Sequence, residues 1–204
     1  SFTFLDSPWD RFLAGEDDAL TDAQARGALL FYGDAKCSVC HSGALLTDQK
    51  FYNIGVRPVS RGPDSTEFLD RGVAHRSIAG PDDSFAFRTP PLRNVALTAP
   101  YMHTGIYNDL EQVIRHKMDI ERGLWLYDSS IMRPEFSRLV HHGADRLSQV
   151  AETLVPWLSL GIELTDDEIA DLVAFLESLT SPSALDLSHV IPESVPSGLE
   201  IPIP

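Results

Sequence analysis

The chain has 204 residues, 43% of them hydrophobic and 23% charged, which is enough for one or two compact domains with a real core. Its formal net charge of −14 argues against nucleic-acid binding and is compatible with steering a basic partner. No apolar run reaches the roughly 18 residues of a membrane span, so none is expected. No signal peptide is visible, and Ser1 is compatible with the start of a mature or cleaved form.

Residues 1–20 read as irregular, with Phe2, Phe4, Leu5, Trp9 and Phe12 giving an apolar segment that should pack on something. A helix is predicted from Thr21, where Gln24 completes a capping box. Its buried stripe is expected to be Ala25, Ala28, Leu29 and Tyr32, and Gly33-Asp34 ends it. Directly behind it stands Cys37-Ser38-Val39-Cys40-His41. This spacing is that of a covalent c-type haem site. In a short helix, positions i, i+3 and i+4 share a face. Both sulfurs then reach the porphyrin edge while His41 points at the iron. A redox dithiol has no need of the trailing His, and a zinc site needs more cysteines than the two present. Covalent haem is assembled outside the cytoplasm, so the motif implies a periplasmic location.

Residues 42–90 show no sustained period and are broken at Gly55, Pro58, Gly62, Pro63, Gly72, Gly80 and Pro81. A loop of that length inside a compact domain is expected to wrap something, here the haem. Phe51–Val56 is the one extended piece expected against the ring. Arg88 and Arg93 stand in an aromatic-rich stretch of an acidic chain. They are candidates for holding haem propionates, with surface ion pairing as the alternative. A helix follows from about Asp109 to Asp119, with Leu110, Val113 and Ile114 inward. Further helices are expected over about 134–142 and 144–158. The last, capped by Thr165 and Glu168, buries Ile169, Leu172, Val173, Leu176 and Leu179. Residues 181–204 read as an extended Pro/Ser-rich tail.

The residue opposite His41 decides between electron transfer and chemistry on a ligand. Candidates are Met102, His103, His116, Lys117 and Met118, with His75, His141 and His142 more remote. At about 100° per residue, Lys117 falls in the middle of the Leu110–Val113–Ile114 stripe, Met118 at its edge and His116 towards the polar side. A lysine there needs a partner or an escape to water. Iron is one such partner, at a deprotonation cost on the order of 4–5 kcal/mol at pH 7 before burial helps. Methionine needs no deprotonation but requires the helix to be rotated or slipped by one residue. Lys117, Met118, His116 and an open site all stay in play.

Taken together, these residues resemble the C-terminal half of the bacterial di-haem cytochrome c peroxidase / MauG-type family. The matching pieces run in order. They are Asp10–Gly15, Arg26-Gly27, Cys37–Gly43, Leu46-Thr47-Asp48, Phe51–Val56 and Phe87–Pro90. Leu92–Val95, Thr98–His103 with Gly105, Leu110–Val113 and the 165–180 helix complete them. The resemblance covers roughly residues 8–181 and implies an all-α, class I cytochrome c-like domain wrapped around one covalent haem, with long irregular loops. Its divisions would be a linker over 1–20, the haem domain over 21–180 and the tail over 181–204. The resemblance further implies an electron-transfer haem whose distal ligand lies at the position of Lys117, where family members carry Met or Tyr. It implies a calcium ion at a domain interface, held partly by the backbone carbonyls of Thr98 and Pro100. Relatives carry two haem motifs and this chain has one, so an N-terminal haem domain or subunit is the expected partner, with residues 1–20 packing on it. The implied activity is peroxide-dependent oxidoreduction. Electrons pass between an external redox protein, or a protein substrate, and a peroxide-reactive haem in the other domain. The long segment between Ile120 and Thr165 and the Val195–Leu199 tail favour the protein-modifying, MauG-like version. A stand-alone mono-haem electron carrier is the alternative, and a haem sensor with a displaceable distal ligand is a weaker one.

Overall fold

The computed structural model describes residues 4–60, 70–75, 80, 83–188, 192 and 194–199. The breakers Gly62, Pro63 and Pro81, the end of the tail and the side chain of His75 lie outside these residues. The regular structure is mostly helical, with one small two-stranded sheet among the described residues.

Both predicted capping boxes are formed. Thr21 caps α2 (Asp22–Tyr32) by accepting from the Gln24 amide, while the Gln24 side chain accepts from the Thr21 amide. Thr165 and Glu168 do the same for α7 (Asp166–Glu177). These two helices cross, and the crossing is set by Gly27. A Cβ there would run into the backbone carbonyl of Asp171 and come within 2.8 Å of the Phe175 Cβ. Only glycine lets the two backbones approach this closely. Arg26 closes the same contact with a bidentate pair to Asp171 at 2.7 and 2.8 Å. Because Gly27 faces α7, the buried stripe of α2 is Gly27, Ala28 and Phe31. The expected stripe was rotated from this, and Leu29 and Tyr32 are 75% and 47% exposed.

Pro8–Leu13, expected to be irregular, is a short helix, α1. Ser7 at its N-cap accepts from the Asp10 amide, and Pro8 occupies the first turn. Trp9 packs into this chain's own core, edge-on to Phe175 at 5.1 Å and stacked on Tyr32 at 5.9 Å. Leu5 and Leu13 stay exposed.

The first core joins these elements to α3 (Leu110–Met118) through Leu110, Ile114 and Met118. Two smaller cores lie beyond it. In one, Ile120 and Leu124 of α4 (Ile120–Trp125) meet Leu147, Val150, Leu154 and Phe85. In the other, Val56 and Ile106 meet Tyr107, Tyr127 and Val140. The helix expected over 134–142 is only α5 (Pro134–Ser137), because the chain then turns to pair Val140 with Val59. The helix expected over 144–158 stops as α6 (Ala144–Ala151). There Thr153 donates to the Ser84 carbonyl and the Val155 amide to the Asn53 carbonyl, holding the chain against two loops. Strand β1 (Phe51–Tyr52) pairs antiparallel with β2 (Phe87–Arg88), Tyr52 opposite Phe87. This ribbon, the loop after it and one face of α3 wall a cleft.

Candidate haem cleft

The cleft encloses about 640 Å³, within the range of roughly 300–1,000 Å³ of small-molecule sites. Its lining is largely apolar: Phe51, Ile54, Val56, Phe87, Leu92, Val95, Leu110 and Val113. Cys40 and His41 stand on one wall and Lys117 lines the cleft from α3.

The motif wall is built locally. Cys37–Val39 forms a 3-10 turn entered through Lys36 in the left-handed region, and the His41 amide donates to the Cys37 carbonyl at 2.9 Å. The His41 Nδ1 lies 3.0 Å from the Leu46 carbonyl. A carbonyl only accepts, so Nδ1 carries the proton and the Nε2 lone pair is free for a metal. Burial, then the charge of Lys117, pushes the imidazole pKa down to about 4, which leaves it neutral at ordinary pH. Burial pushes the Cys37 thiol up to about 11 and raises that of Cys40 as well. A redox dithiol needs the opposite shift, towards thiolate. The environment therefore suits sulfurs that end as neutral thioethers. Tyr52, which also lines the cleft, donates to Asp48 at 2.7 Å.

On α3, Leu110, Val113 and Lys117 share the face that lines the cleft, while Leu110, Ile114 and Met118 enter the first core. Lys117 makes no hydrogen bond or ion pair among the described residues. Burial lowers its pKa, and only Cys40 and Cys37 act to raise it. Met118 is buried in the first core and does not line the cleft. By sequence phase His116 falls on the polar side; in the fold it is 2% exposed, and both ring nitrogens are taken. The Tyr107 hydroxyl lies 2.9 Å from Nδ1 and the Ile54 carbonyl 2.7 Å from Nε2. No local pattern announces these partners, since Ile54 is 62 residues away.

Among the remaining candidates, Met102 lines the cleft and packs on the third core. His103 sits on the rim, stacked on Phe87 at 3.8 Å and bonded to Asp70 at 2.9 Å. His141 and His142 contact Ser60 and Ser129, away from the cleft. Arg88 is on the rim and donates to Gln49 at 2.6 Å. Arg93 is not on the cleft. It pairs with Asp10 through two bonds of 2.8 and 2.9 Å and donates to the Ala44 carbonyl. The alternative of ion pairing, raised for both arginines, describes Arg93. Thr98 and Pro100 lie exposed on the rim. Among the described residues no three His, Cys, Asp or Glu side chains converge on a cation, so a calcium ion here would rely on backbone carbonyls and on ligands from elsewhere.

An apolar slot lined by a metal-ready imidazole, the neutral thiol of Cys40 and an unpaired amine on the α3 wall, with Cys37 packed on the first core rather than in the lining, fits a covalently held haem. Comparison with known proteins agrees. The cytochrome-c peroxidase IdrP1 of Pseudomonas sp. (strain SCT) is 30% identical over 199 residues, covering 87% of this chain and 45% of that protein. The methylamine utilization protein MauG of Methylorubrum extorquens is 31% identical over 187 residues, covering 91% and 42%. The chain belongs to the cytochrome c peroxidase / MauG family. This family member spans about half the length of the curated relatives it matches. The crystal structure of a MauG-like protein associated with microbial copper homeostasis is similar with a TM-score of 0.61, at 31% identity over 89% of this chain and 54% of that one. The diheme peroxidase BthA from Burkholderia thailandensis shares the peroxidase/MauG fold at a TM-score of 0.62 and 22% identity. No protein-family model matches the chain.

Proposed function

We propose that this chain is the electron-transfer haem half of a periplasmic di-haem oxidoreductase, corresponding to the C-terminal half of its relatives. Cys37 and Cys40 hold the ring by thioether bonds, His41 offers Nε2 to the iron, and Lys117 offers its free amine from the α3 wall. The observation that carries this reading is the cleft itself, with His41 and Lys117 both in its lining and every other α3 candidate packed elsewhere. The haem would supply a one-electron couple when bound, and iron held by both His41 and Lys117 would suit electron transfer rather than ligand chemistry.

The rest follows from what the residues do. The apolar walls exclude water from the ring. Leu46 fixes the His41 tautomer through its carbonyl. Burial lowers the cost of keeping Lys117 as a free base, which from an ordinary lysine at pH 7 is about 4–5 kcal/mol. Arg88 on the rim is placed to meet a propionate. The Thr98 and Pro100 carbonyls would contribute to a calcium ion whose other ligands come from the partnering haem domain. Peroxide would be reduced at that second haem, with electrons supplied by a small redox protein or drawn from a protein substrate. IdrP1 is named a peroxidase and MauG a methylamine utilization protein, and both versions descend to this chain as proposals.

The test is the ferric spectrum of the haem-loaded protein. Lys117→Ala is expected to lose the low-spin form, while Met118→Ala keeps it. A low-spin spectrum unchanged in Lys117→Ala would sink the lysine assignment. For the activity, the two-haem assembly is given peroxide with reduced cytochrome or with a candidate protein substrate. A reversible one-electron couple with no peroxide reactivity in that assembly would favour the stand-alone carrier.

A further inference from the structure

The last turn of α3 holds three residues in a row that bind haem iron in one protein or another: His116, Lys117 and Met118. A slip of one residue turns the helix by about 100° and exchanges which of them enters the cleft. Imidazole and thioether are the commoner iron ligands, and neither has to shed a proton from an ammonium. Something must hold the helix in the phase that presents the lysine.

The helix does not do this alone. It is nine residues long, and beyond it the Asp119 amide returns to the His116 carbonyl while the Ile162 amide takes that of Met118. The chain turns at Asp119 directly into α4. The Met118 carbonyl accepts from the Ile162 amide at 2.8 Å, but its side chain is held by apolar packing, which is non-directional and tolerant of rearrangement. His116 is different. A carbonyl cannot donate, so its Nε2–H donates to Ile54 at 2.7 Å, and the neutral Nδ1 accepts from the Tyr107 hydroxyl at 2.9 Å. Ile54 belongs to the loop that walls the cleft beyond β1. Tyr107 belongs to a different segment, bridged to Tyr101 on the rim. Gly123 of α4 lies flat on the ring, where a Cβ would collide with the imidazole. One buried ring thus ties the last turn of α3 to two other segments of the chain by directional bonds, and any slip would strand buried polar groups.

We propose that His116, oriented by Tyr107, is the positioning residue that selects Lys117 over Met118 as the sixth ligand of the haem iron. The inference rests on the assignment of Lys117 made above. It concerns helix phase rather than proton exchange at His116.

The experiment compares holoproteins by ferric spectrum and reduction potential, with thermal stability measured beside them. His116→Leu removes both bonds, and Tyr107→Phe removes one while keeping the ring. Both are expected to gain the sulfur-to-iron charge-transfer band of methionine ligation and a higher potential, His116→Leu more fully. Adding Met118→Leu to either variant should abolish the new band. His116→Gln, whose amide donates to Ile54 and accepts from Tyr107, should restore the wild-type spectrum. If His116→Leu fails to fold, Tyr107→Phe decides. Loss of stability in Tyr107→Phe with an unchanged spectrum and potential overturns the inference, because a purely structural histidine would behave that way. A low-spin Lys117→Ala overturns the ligand assignment first, so the two failures read differently.

Discussion

Asp10 shows how much a single side chain does away from the cleft. Burial alone would raise its carboxyl pKa, but the Arg93 guanidinium and the Ser7 hydroxyl outweigh that and hold it below its ordinary 3.8. The side chains of Arg93 and Asp10 are only 21% and 9% exposed, so the pair ties α1 to the segment before the rim with little screening. A carboxyl depressed in the folded state contributes stability above its unfolded pKa and loses it as pH falls through the lower folded value. The expected outcome is a thermal midpoint that drops more steeply below pH 4 in the wild type than in Asp10→Asn. At pH 7 Asp10→Asn should cost about 1–3 kcal/mol. The partner of Arg93 stands 83 positions earlier, which is why the sequence offered a propionate as readily as an ion pair. That Lys117 shares a face with Leu110 and Val113 was legible because helix phase is local. The bonds of His116 were not, since they run to residues on other loops.

At the scale of elements, backbone proximity rules. Gly27→Ala gains about 1 kcal/mol of helix propensity, but its methyl meets the Asp171 carbonyl rather than a movable side chain. The helices must separate, and a net loss of more than about 2 kcal/mol is expected from the denaturant midpoint. Thr165→Ala, which breaks one capping box, should cost about 1 kcal/mol and fray the first turn of α7 in hydrogen exchange. Both boxes were readable because cap and partner sit three residues apart. α1 carried the same kind of signal in Ser7-Pro8 but was hidden by its brevity. The stripe of α2 came out rotated because its phase is set by the glycine that meets α7, and no apolar count includes a glycine. The lengths of α5 and α6 were overread for a related reason. Bonds to Asn53, Ser84 and Pro58 on distant loops hold the chain where those runs end, and Pro156, inside the second run, bars a helix from continuing through it.

Across the whole molecule, the segment between Ile120 and Thr165 builds one of the smaller cores, through Ile120, Leu124, Leu147 and Val150, and is fastened to the loop after β1. Asn53 is the fastener, donating to the Val150 carbonyl at 2.7 Å and to Thr153 at 2.9 Å while accepting from the Gly55 amide. Asn53→Ala should cost about 2–3 kcal/mol. Amide exchange should rise first over 144–158 and leave the α2–α7 crossing protected. Arg57 adds to the same joint, donating to the carbonyls of Trp125, Tyr127 and His141 from a buried position. The α2–α7 crossing also has a consequence in time. Arg26 and Asp171 are 145 residues apart, so closing that contact carries the loop entropy of most of the chain, and α2 lacks its facing surface until α7 exists. During synthesis, Cys37, Cys40 and His41 therefore spend their first moments on an unclosed chain. The architecture orders events, leaving these three side chains accessible early and enclosing them only when α7 arrives.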